Sequence, residues 1–175
     1  MDDHDGIAAV QMNLGNLAFL ARNNQEATAR LEESLALQRA LGHTWGSASI
    51  LSNLGQIALG QGDPRQARLR WLESIVLYQQ LGDRDGMATC LEGLAAVFCG
   101  LRNVSLGMQL YGAADAARGS VSSGPLREQS RRRTRNLAIA RNRFGESEVK
   151  RALDVGHGLA VDQAMRLAQS GEQGQ

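Results

Sequence analysis

The sequence is poor in the residues that interrupt a helix or cross-link a chain. Its 175 residues include 2 prolines, 2 cysteines and only 4% aromatic residues. With so few prolines, long stretches are free to be helical. Cys90 and Cys99 are nine residues apart, which places them on opposite faces of one helix. We therefore expect neither a disulfide nor a shared metal between them.

A membrane-length apolar run and a strong charge imbalance are also missing. A membrane-spanning helix needs about 20 consecutive apolar residues, and the sequence has no such run. The formal net charge of +1 argues neither for nor against an acidic partner. The first residues, MDDHDG, are acidic, which is unlike a signal peptide. These features predict a cytoplasmic protein.

The motifs of catalysis and cofactor binding are absent as well. His4, His43 and His157 are isolated, with no other His or Cys beside them at the spacing that metal sites use. No glycine-rich loop leads into Lys followed by Ser or Thr, and no G-x-S-x-G motif occurs. We therefore expect a protein that is not an enzyme and that has no cofactor and no metal site.

What the sequence does contain is an internal repeat with a period of 40 residues. The segment 46–85 falls on 6–45 when it is moved back by one period, and on 86–125 when it is moved forward. The coinciding columns are Gly6, Gly46 and Gly86; Leu14, Leu54 and Leu94; Asn23, Asp63 and Asn103; and Leu31, Trp71 and Tyr111. A period in this range is typical of repeat architectures and predicts stacked structural units.

Each unit is predicted to form two helices. In the middle copy the first helix runs from about Gly46 to Leu59, because apolar residues recur there at helical spacing. Asp63 is a good N-cap for the second helix, and Pro64 is tolerated at the first helical position. Gly82 is predicted to end that helix in the left-handed conformation.

Small residues mark where the two helices of a unit must come close. They are Gly15 and Gly55 on the first helices and Ala27 and Ala67 on the second, with the bulky Leu31, Trp71 and Tyr111 beside them. In the third copy glycine and alanine are exchanged, with Ala95 on the first helix and Gly107 on the second. This departure indicates the end of the array. This pattern, together with the sequence Asn-Leu-Gly at 13–15 and again at 53–55, resembles the tetratricopeptide repeat (TPR). That repeat usually has about 34 residues, and a HEAT-like repeat is the alternative for a longer period.

The resemblance implies an all-α fold, a TPR-like α-solenoid of three antiparallel helix pairs followed by a three-helix C-terminal cap. The predicted array covers residues 1–118, with units 6–45, 46–85 and 86–118. A Gly/Ser loop at 119–125, a C-terminal helical module at 126–170 and a frayed tail at 171–175 follow. In the module we predict helices at about 126–144, 146–155 and 161–168.

In TPR proteins the first helix of each unit lines the concave face, so helix phase predicts the residues of a partner-binding groove. They are Asn13, Asn16, Phe19, Asn53, Gln56, Leu59 and Glu92. The alternative is that these side chains only solvate the inner face or pack on a neighbour. The set has no Lys or Arg, so the TPR mode that clamps a peptide carboxylate is not expected.

The chain is also expected to begin inside an array, without a capping element before the first unit. Repeat arrays need polar end caps for solubility. We therefore expect an exposed apolar edge on the first helix, formed by Ile7, Val10, Leu14 and Leu17. Such an edge is a candidate site of association with a protein, including a second copy of the chain.

One predicted helix of the C-terminal module is rich in arginine. The candidate basic surface consists of Arg127, Arg131, Arg132 and Arg135, and Arg133, Arg141 and Arg143 lie on the same helix. The alternative is a solvated face whose arginines pair with Asp115 and other acidic residues of neighbouring helices. Nucleic-acid contact is the weaker interpretation, since no recognition helix is evident and no aromatic residues interleave for base stacking.

Residues 138–164, reading AIARNRFGESEVKRALDVGHGLAVDQA, resemble the segment that closes large bacterial regulators of the LuxR-type or antibiotic-regulator type. In those proteins a predicted AAA-like/STAND ATPase domain precedes a TPR array. The matching features are Phe144, Gly145, Glu146, Ala152, Gly156, Leu159 and Ala164, and the departures are Val149, Leu153 and Ala160. The resemblance implies a non-catalytic protein-interaction module, the sensor or regulatory part of such a transcription-control system. The alternative is a sensor that holds a small effector between the array and the C-terminal helices.

Overall fold

The computed structural model of the protein describes residues 3–119 and 127–171, and every regular element in these ranges is an α-helix. The helices are α1 (His4–Leu20), α2 (Asn24–Ala40), α3 (Thr44–Gly60), α4 (Pro64–Leu81), α5 (Arg84–Gly100), α6 (Val104–Arg118), α7 (Arg127–Phe144), α8 (Glu146–His157) and α9 (Val161–Ser170). The predicted all-α fold is therefore confirmed. Three helix pairs with the 40-residue period are followed by three further helices.

The second helix of every pair begins at the same type of cap. The side chains of Asn23, Asp63 and Asn103 accept a hydrogen bond from the backbone N–H three residues later, at 3.3, 2.9 and 3.3 Å. Each cap satisfies one of the backbone donors that a helix start leaves without an intrahelical acceptor. Pro64 is the first residue of α4, and Gly82 ends that helix with φ of 67°. The cap predictions are confirmed.

The chain divides into two compact units, residues 1–82 and 83–175. In the first unit α1 packs on α2, α3 packs on α4, and α2 also packs on α3. Its core lies between α2 and α3 and includes Leu31, Leu35, Ile50, Leu54 and Ile57. Two helix pairs of the repeat therefore share one apolar interior.

Glycine sets the close approach of the helices within each of these two pairs. A β-carbon added to Gly15 would lie 2.7 Å from Cγ of Leu31, and one added to Gly55 would lie 2.9 Å from Cε2 of Trp71. The indole Nε1–H of Trp71 also donates to the carbonyl oxygen of Ser52 at 3.1 Å. Both glycines thus face the bulky residue of the neighbouring helix, as their spacing predicts.

In the second unit the third pair keeps this close approach with the glycine on the other helix. A β-carbon on Gly107 of α6 would lie 2.5 Å from Sγ of Cys99 and 3.0 Å from the carbonyl oxygen of Ala95 on α5. The small residue needed at the crossing has therefore moved from the first helix of the pair to the second. The third copy thus has its glycine on the second helix instead of the first, and its two helices still pack closely.

The three C-terminal helices pack around this third pair. Helix α8 packs on α6, α7 packs on α5 and α8, and α9 packs on α6 and α5. As a result α5 is buried on almost every face from Cys90 to Phe98. The contacts thus group the third pair with the C-terminal helices, whereas the predicted domain division places it in the array. The predicted loop at 119–125 and tail at 171–175 fall mostly outside the described residues and stay predictions.

Candidate interaction surfaces

An apolar stripe runs along the outer face of α1. Ile7, Val10, Leu14 and Leu17 are 46, 56, 42 and 61% exposed. Their spacing of three and four residues places them on one side of the helix, while Ala8, Gly15 and Ala18 are buried. The exposure that the sequence predicts for these four residues, called here the α1 stripe, is confirmed. What they bind stays a prediction.

The repeat shows how unusual this exposure is. Val10, Leu14 and Leu17 correspond, 40 residues later, to Ile50, Leu54 and Ile57 on α3. Those three side chains are only 0, 4 and 2% exposed, because they belong to the apolar core that α3 shares with α2. The α1 stripe is thus the face that the repeat ordinarily buries, and in the first copy of the repeat no described helix covers it.

Two charged residues of α2 lie beside the stripe. Arg30 and Glu33 are joined through Gln11 of α1, whose Oε1 accepts from Arg30 Nη1 at 3.2 Å and whose Nε2 donates to Glu33 Oε2 at 2.6 Å. Arg30 and Gln11 line one open groove together with the stripe residues Ile7, Val10 and Leu14. The sequence reasoning missed these charges, although the repeat places Arg30 in the column of Arg70 and Glu33 in the column of Glu73.

The predicted concave-face set is only partly brought together. Within the first unit Asn53 Nδ2 donates to Asn16 Oδ1 at 2.9 Å, so α1 and α3 present these two amides side by side. Asn13 is exposed, Gln56 and Leu59 are half-buried, and Phe19 packs against the apolar core. That these residues bind a partner stays a prediction.

Glu92 does not lie on an open face, and this part of the predicted set is corrected. Glu92 is 3% exposed, and its Oε1 accepts from Arg118 Nη1 at 2.8 Å and from Arg133 Nη1 at 3.3 Å. These arginines come from α6 and α7, which the sequence alone does not place over α5. Glu92 is therefore part of an internal charge cluster of the second unit.

The same cluster explains part of the arginine-rich helix. Arg133 donates from Nη1 and Nη2 to the two carboxylate oxygens of Asp115, at 2.6 and 2.5 Å, and its guanidinium lies 5.2 Å from the ring centroid of Tyr111. Burial lowers the pKa of Arg133, but the hydrogen bond and the charge of Asp115 outweigh it, so the net pKa is raised. The alternative expectation, pairing with Asp115, is what the structure shows for this residue.

The rest of the predicted basic surface is more open. Arg131 and Arg135 are exposed and Arg132 is half-buried, whereas the side chain of Arg127 lies outside the described residues. Consecutive arginines on a helix point in different directions, which spreads their charge around α7. A role for these side chains in binding stays a prediction.

An exposed tryptophan provides a further surface that the sequence analysis missed. Trp45 at the start of α3 is 56% exposed and lines a groove of the first unit with Met12, His43 and Leu81 among others. The repeat column reads Asp5, Trp45 and Asp85, and a lone tryptophan in a column of aspartates is the signal that could have revealed it. Exposed tryptophans are enriched among the residues that dominate binding energies.

Among the described residues, no cluster of three His, Cys, Asp or Glu side chains forms a potential metal site. Neither Cys90 nor Cys99 is part of a disulfide, and burial raises the pKa of Cys99 to about 12. None of the helices in the described ranges combines the length and the apolar character needed to cross a membrane.

The fold and the surfaces together define an all-α protein built from tetratricopeptide-like helix pairs. The family model of the tetratricopeptide repeat matches residues 6–74. This range covers the first copy of the repeat and most of the second copy. This match favours the TPR interpretation over the HEAT-like one. No curated protein matches the chain. Tetratricopeptide repeats are non-catalytic scaffolds that generally mediate contacts between proteins.

Proposed function

We propose that the protein is a protein–protein interaction module whose principal binding surface is the α1 stripe. The observation that carries this proposal is the contrast between equivalent positions of the repeat. Leu14 is 42% exposed, whereas its counterpart Leu54 is 4% exposed. Covering such a stripe with a partner removes apolar area from water, which is the main favourable term in protein association.

The test begins with a partner that crosslinks to α1 in the full chain. Once that partner is identified and purified, calorimetric titration compares Leu14→Asp with the unchanged chain. We expect at least a tenfold loss of affinity, because a carboxylate would lie within the covered apolar area. Gln56→Ala, a change in the predicted concave face, is expected to leave the affinity within about twofold. The opposite pattern would move the binding surface to the concave face.

The biological setting is the finer part of the proposal. The resemblance of residues 138–164 to the end of large bacterial regulators supports a sensor or regulatory role in a transcription-control ATPase system. The expected partner in that setting is a protein of the STAND ATPase class. Its ATP turnover, measured with and without the chain, should change in proportion to complex formation. An ATPase that binds the chain without a change in turnover would argue for a scaffold without regulatory action.

Effector binding remains the alternative function, and one observation bears on it. Oε2 of the buried Glu92 makes no hydrogen bond within the described structure, and Glu92 lies where α5, α6 and α7 meet. A small cationic or hydrogen-bond-donating effector would stabilise the second unit by binding there. A thermal-shift screen with the unchanged chain and Glu92→Gln tests this, since only the unchanged chain should respond.

Nucleic-acid contact through Arg131 and Arg135 is the weaker alternative. Phosphate contacts make an affinity fall steeply with salt concentration. Fluorescence anisotropy with a duplex and a single strand, each titrated at two salt concentrations, would detect such binding. Loss of the signal in the Arg131→Ala, Arg135→Ala double variant would support the role, and an affinity that is insensitive to salt would exclude it.

A further inference from the structure

The repeat itself shows which kind of helix fits the α1 stripe. On α3, the equivalent face packs on α2, the second helix of the preceding pair. The residues that α2 covers there, Ile50, Leu54 and Ile57, correspond to the stripe residues Val10, Leu14 and Leu17. The same apolar spacing on both first helices calls for the same kind of cover, which is an amphipathic helix packed along its length.

The charges beside the covered face of α3 define this cover further. Arg70 of α4 lies 2.5 Å from Glu32 of α2, and Glu73 of α4 is paired with Arg39 of α2. The covering helix therefore carries a glutamate and an arginine seven residues apart, that is, two helical turns apart. The two ion pairs fix its direction and its register.

The first copy of the repeat has the same two charged residues beside its apolar face. Arg30 and Glu33 occupy the columns of Arg70 and Glu73, and both are hydrogen-bonded to Gln11. Arg30 also lies 3.9 Å from Glu26 of the same helix, in an exposed pair that a partner carboxylate can replace at little cost. In the column of Gln11 the second copy of the repeat has Leu51, which is fully buried. Gln11 thus holds the two charges apart and in position at the edge of the stripe.

We propose, resting on the proposed function above, that the α1 stripe binds an amphipathic helix of a partner protein that carries Glu and Arg seven residues apart. Its glutamate pairs with Arg30, its arginine pairs with Glu33, and its apolar face covers Val10, Leu14 and Leu17. The partner helix is thus equivalent to α2 in the preceding position of the repeat.

A second copy of the chain fits this surface less well. In a second copy the counterparts of α2 are α4 and α6. At the positions of Glu32 and Arg39, α4 has Leu72 and Gln79, and the third copy of the repeat has Gly112 and Gly119. None of these residues can form an ion pair with Arg30 or Glu33. The charges therefore favour a different protein over further copies of this chain.

The probe for the test is a synthetic peptide of residues 23–42, which contains both Glu32 and Arg39. Labelled with fluorescein, it is titrated with the full chain and followed by anisotropy. We expect saturable binding that Val10→Asp abolishes. Arg30→Glu should weaken it at least tenfold, and a peptide with Glu32→Arg should restore binding to that variant. Arg65→Glu, which changes an exposed arginine of α4, is the matched control and should have no effect.

Several results would overturn the proposal. Binding that survives Val10→Asp would mean that the peptide replaces the chain's own α2, and a peptide that does not bind at all would reject the helix as the occupant. If Arg30→Glu does not weaken binding of the peptide, or if the peptide with Glu32→Arg does not restore it, the two ion pairs are rejected. A concentration-dependent dimer in sedimentation equilibrium that Val10→Asp dissociates would make a second copy the occupant. If Leu14→Asp still weakens the natural partner in these cases, the proposed function stands and only the partner's chemistry is wrong.

Discussion

Gly112 of α6 and Gly156 of α8 meet without a side chain between them. A β-carbon on Gly112 would lie 3.0 Å from the Cα of Gly156 and would overlap the carbonyl oxygen of Leu153. A β-carbon on Gly156 would in turn overlap the carbonyl oxygen of Gln109. The two helices therefore cross backbone to backbone, which joins the third helix pair to the C-terminal helices.

The first prediction follows from this crossing. Gly112→Ala is expected to destabilise the second unit by about 3 kcal/mol or more, because backbone atoms cannot rotate away from the added methyl group. Urea unfolding followed by circular dichroism measures the loss. The matched control is Gly100→Ala, where a β-carbon meets nothing within 4 Å. This control should be neutral or should stabilise the helix by up to about 1 kcal/mol. Equal stabilities of the two variants would contradict the close crossing.

A second prediction concerns the charge cluster around Glu92. Glu92→Gln removes the negative charge that lies between Arg118 and Arg133, and we expect a loss of about 3 kcal/mol because both guanidinium groups are largely buried. The comparison is Lys150→Ala, which breaks the exposed pair with Asp154 on α8 and should cost less than about 1 kcal/mol. Similar unfolding midpoints for both variants would show that the cluster does not fasten α7 to the third pair.

The third prediction is a loss of stability at alkaline pH. Burial raises the pKa of Cys99 from 9.0 to about 12 and that of Tyr111 from 10.0 to about 12. The unfolded chain then loses these protons at lower pH than the folded chain, so stability is complete below about pH 9 and falls as the pH rises towards 12.

Between pH 9 and 10 the loss arises mainly from Cys99 and should be on the order of 1 kcal/mol. Urea midpoints at pH 8, 9 and 10 measure it, and the slope should decrease in Cys99→Ala. The comparison uses slopes because this variant also changes the packing next to Gly107. An unchanged slope would show that the Cys99 thiol ionises as readily in the folded chain as in the unfolded one.

A fourth prediction tests the exchange of sides in the third pair. Gly107→Ala should destabilise the second unit by about 1–3 kcal/mol, because the new methyl group would press on Cys99 and on the backbone of α5. Adding Ala95→Gly restores the arrangement of the first two pairs and should recover part of the loss. A double-mutant cycle in urea measures this coupling. Strictly additive effects would mean that the two positions are independent.

The sequence by itself determined the helix pairs, their caps and the close contacts within each pair. These features are local or repeat with a fixed period, so Asn23, Asp63 and the glycines at 15 and 55 could be assigned from their neighbours and from the register of the copies.

Only the tertiary structure decided which polar groups are buried. Glu92 lies on a first helix, where the repeat pattern predicts an open face, yet α6 and α7 bring Arg118 and Arg133 onto it. The periodicity of one helix shows which of its residues share a face, but it does not show what covers that face. Which helices cover α5 depends on contacts between residues far apart in the sequence, and only the tertiary structure shows those contacts.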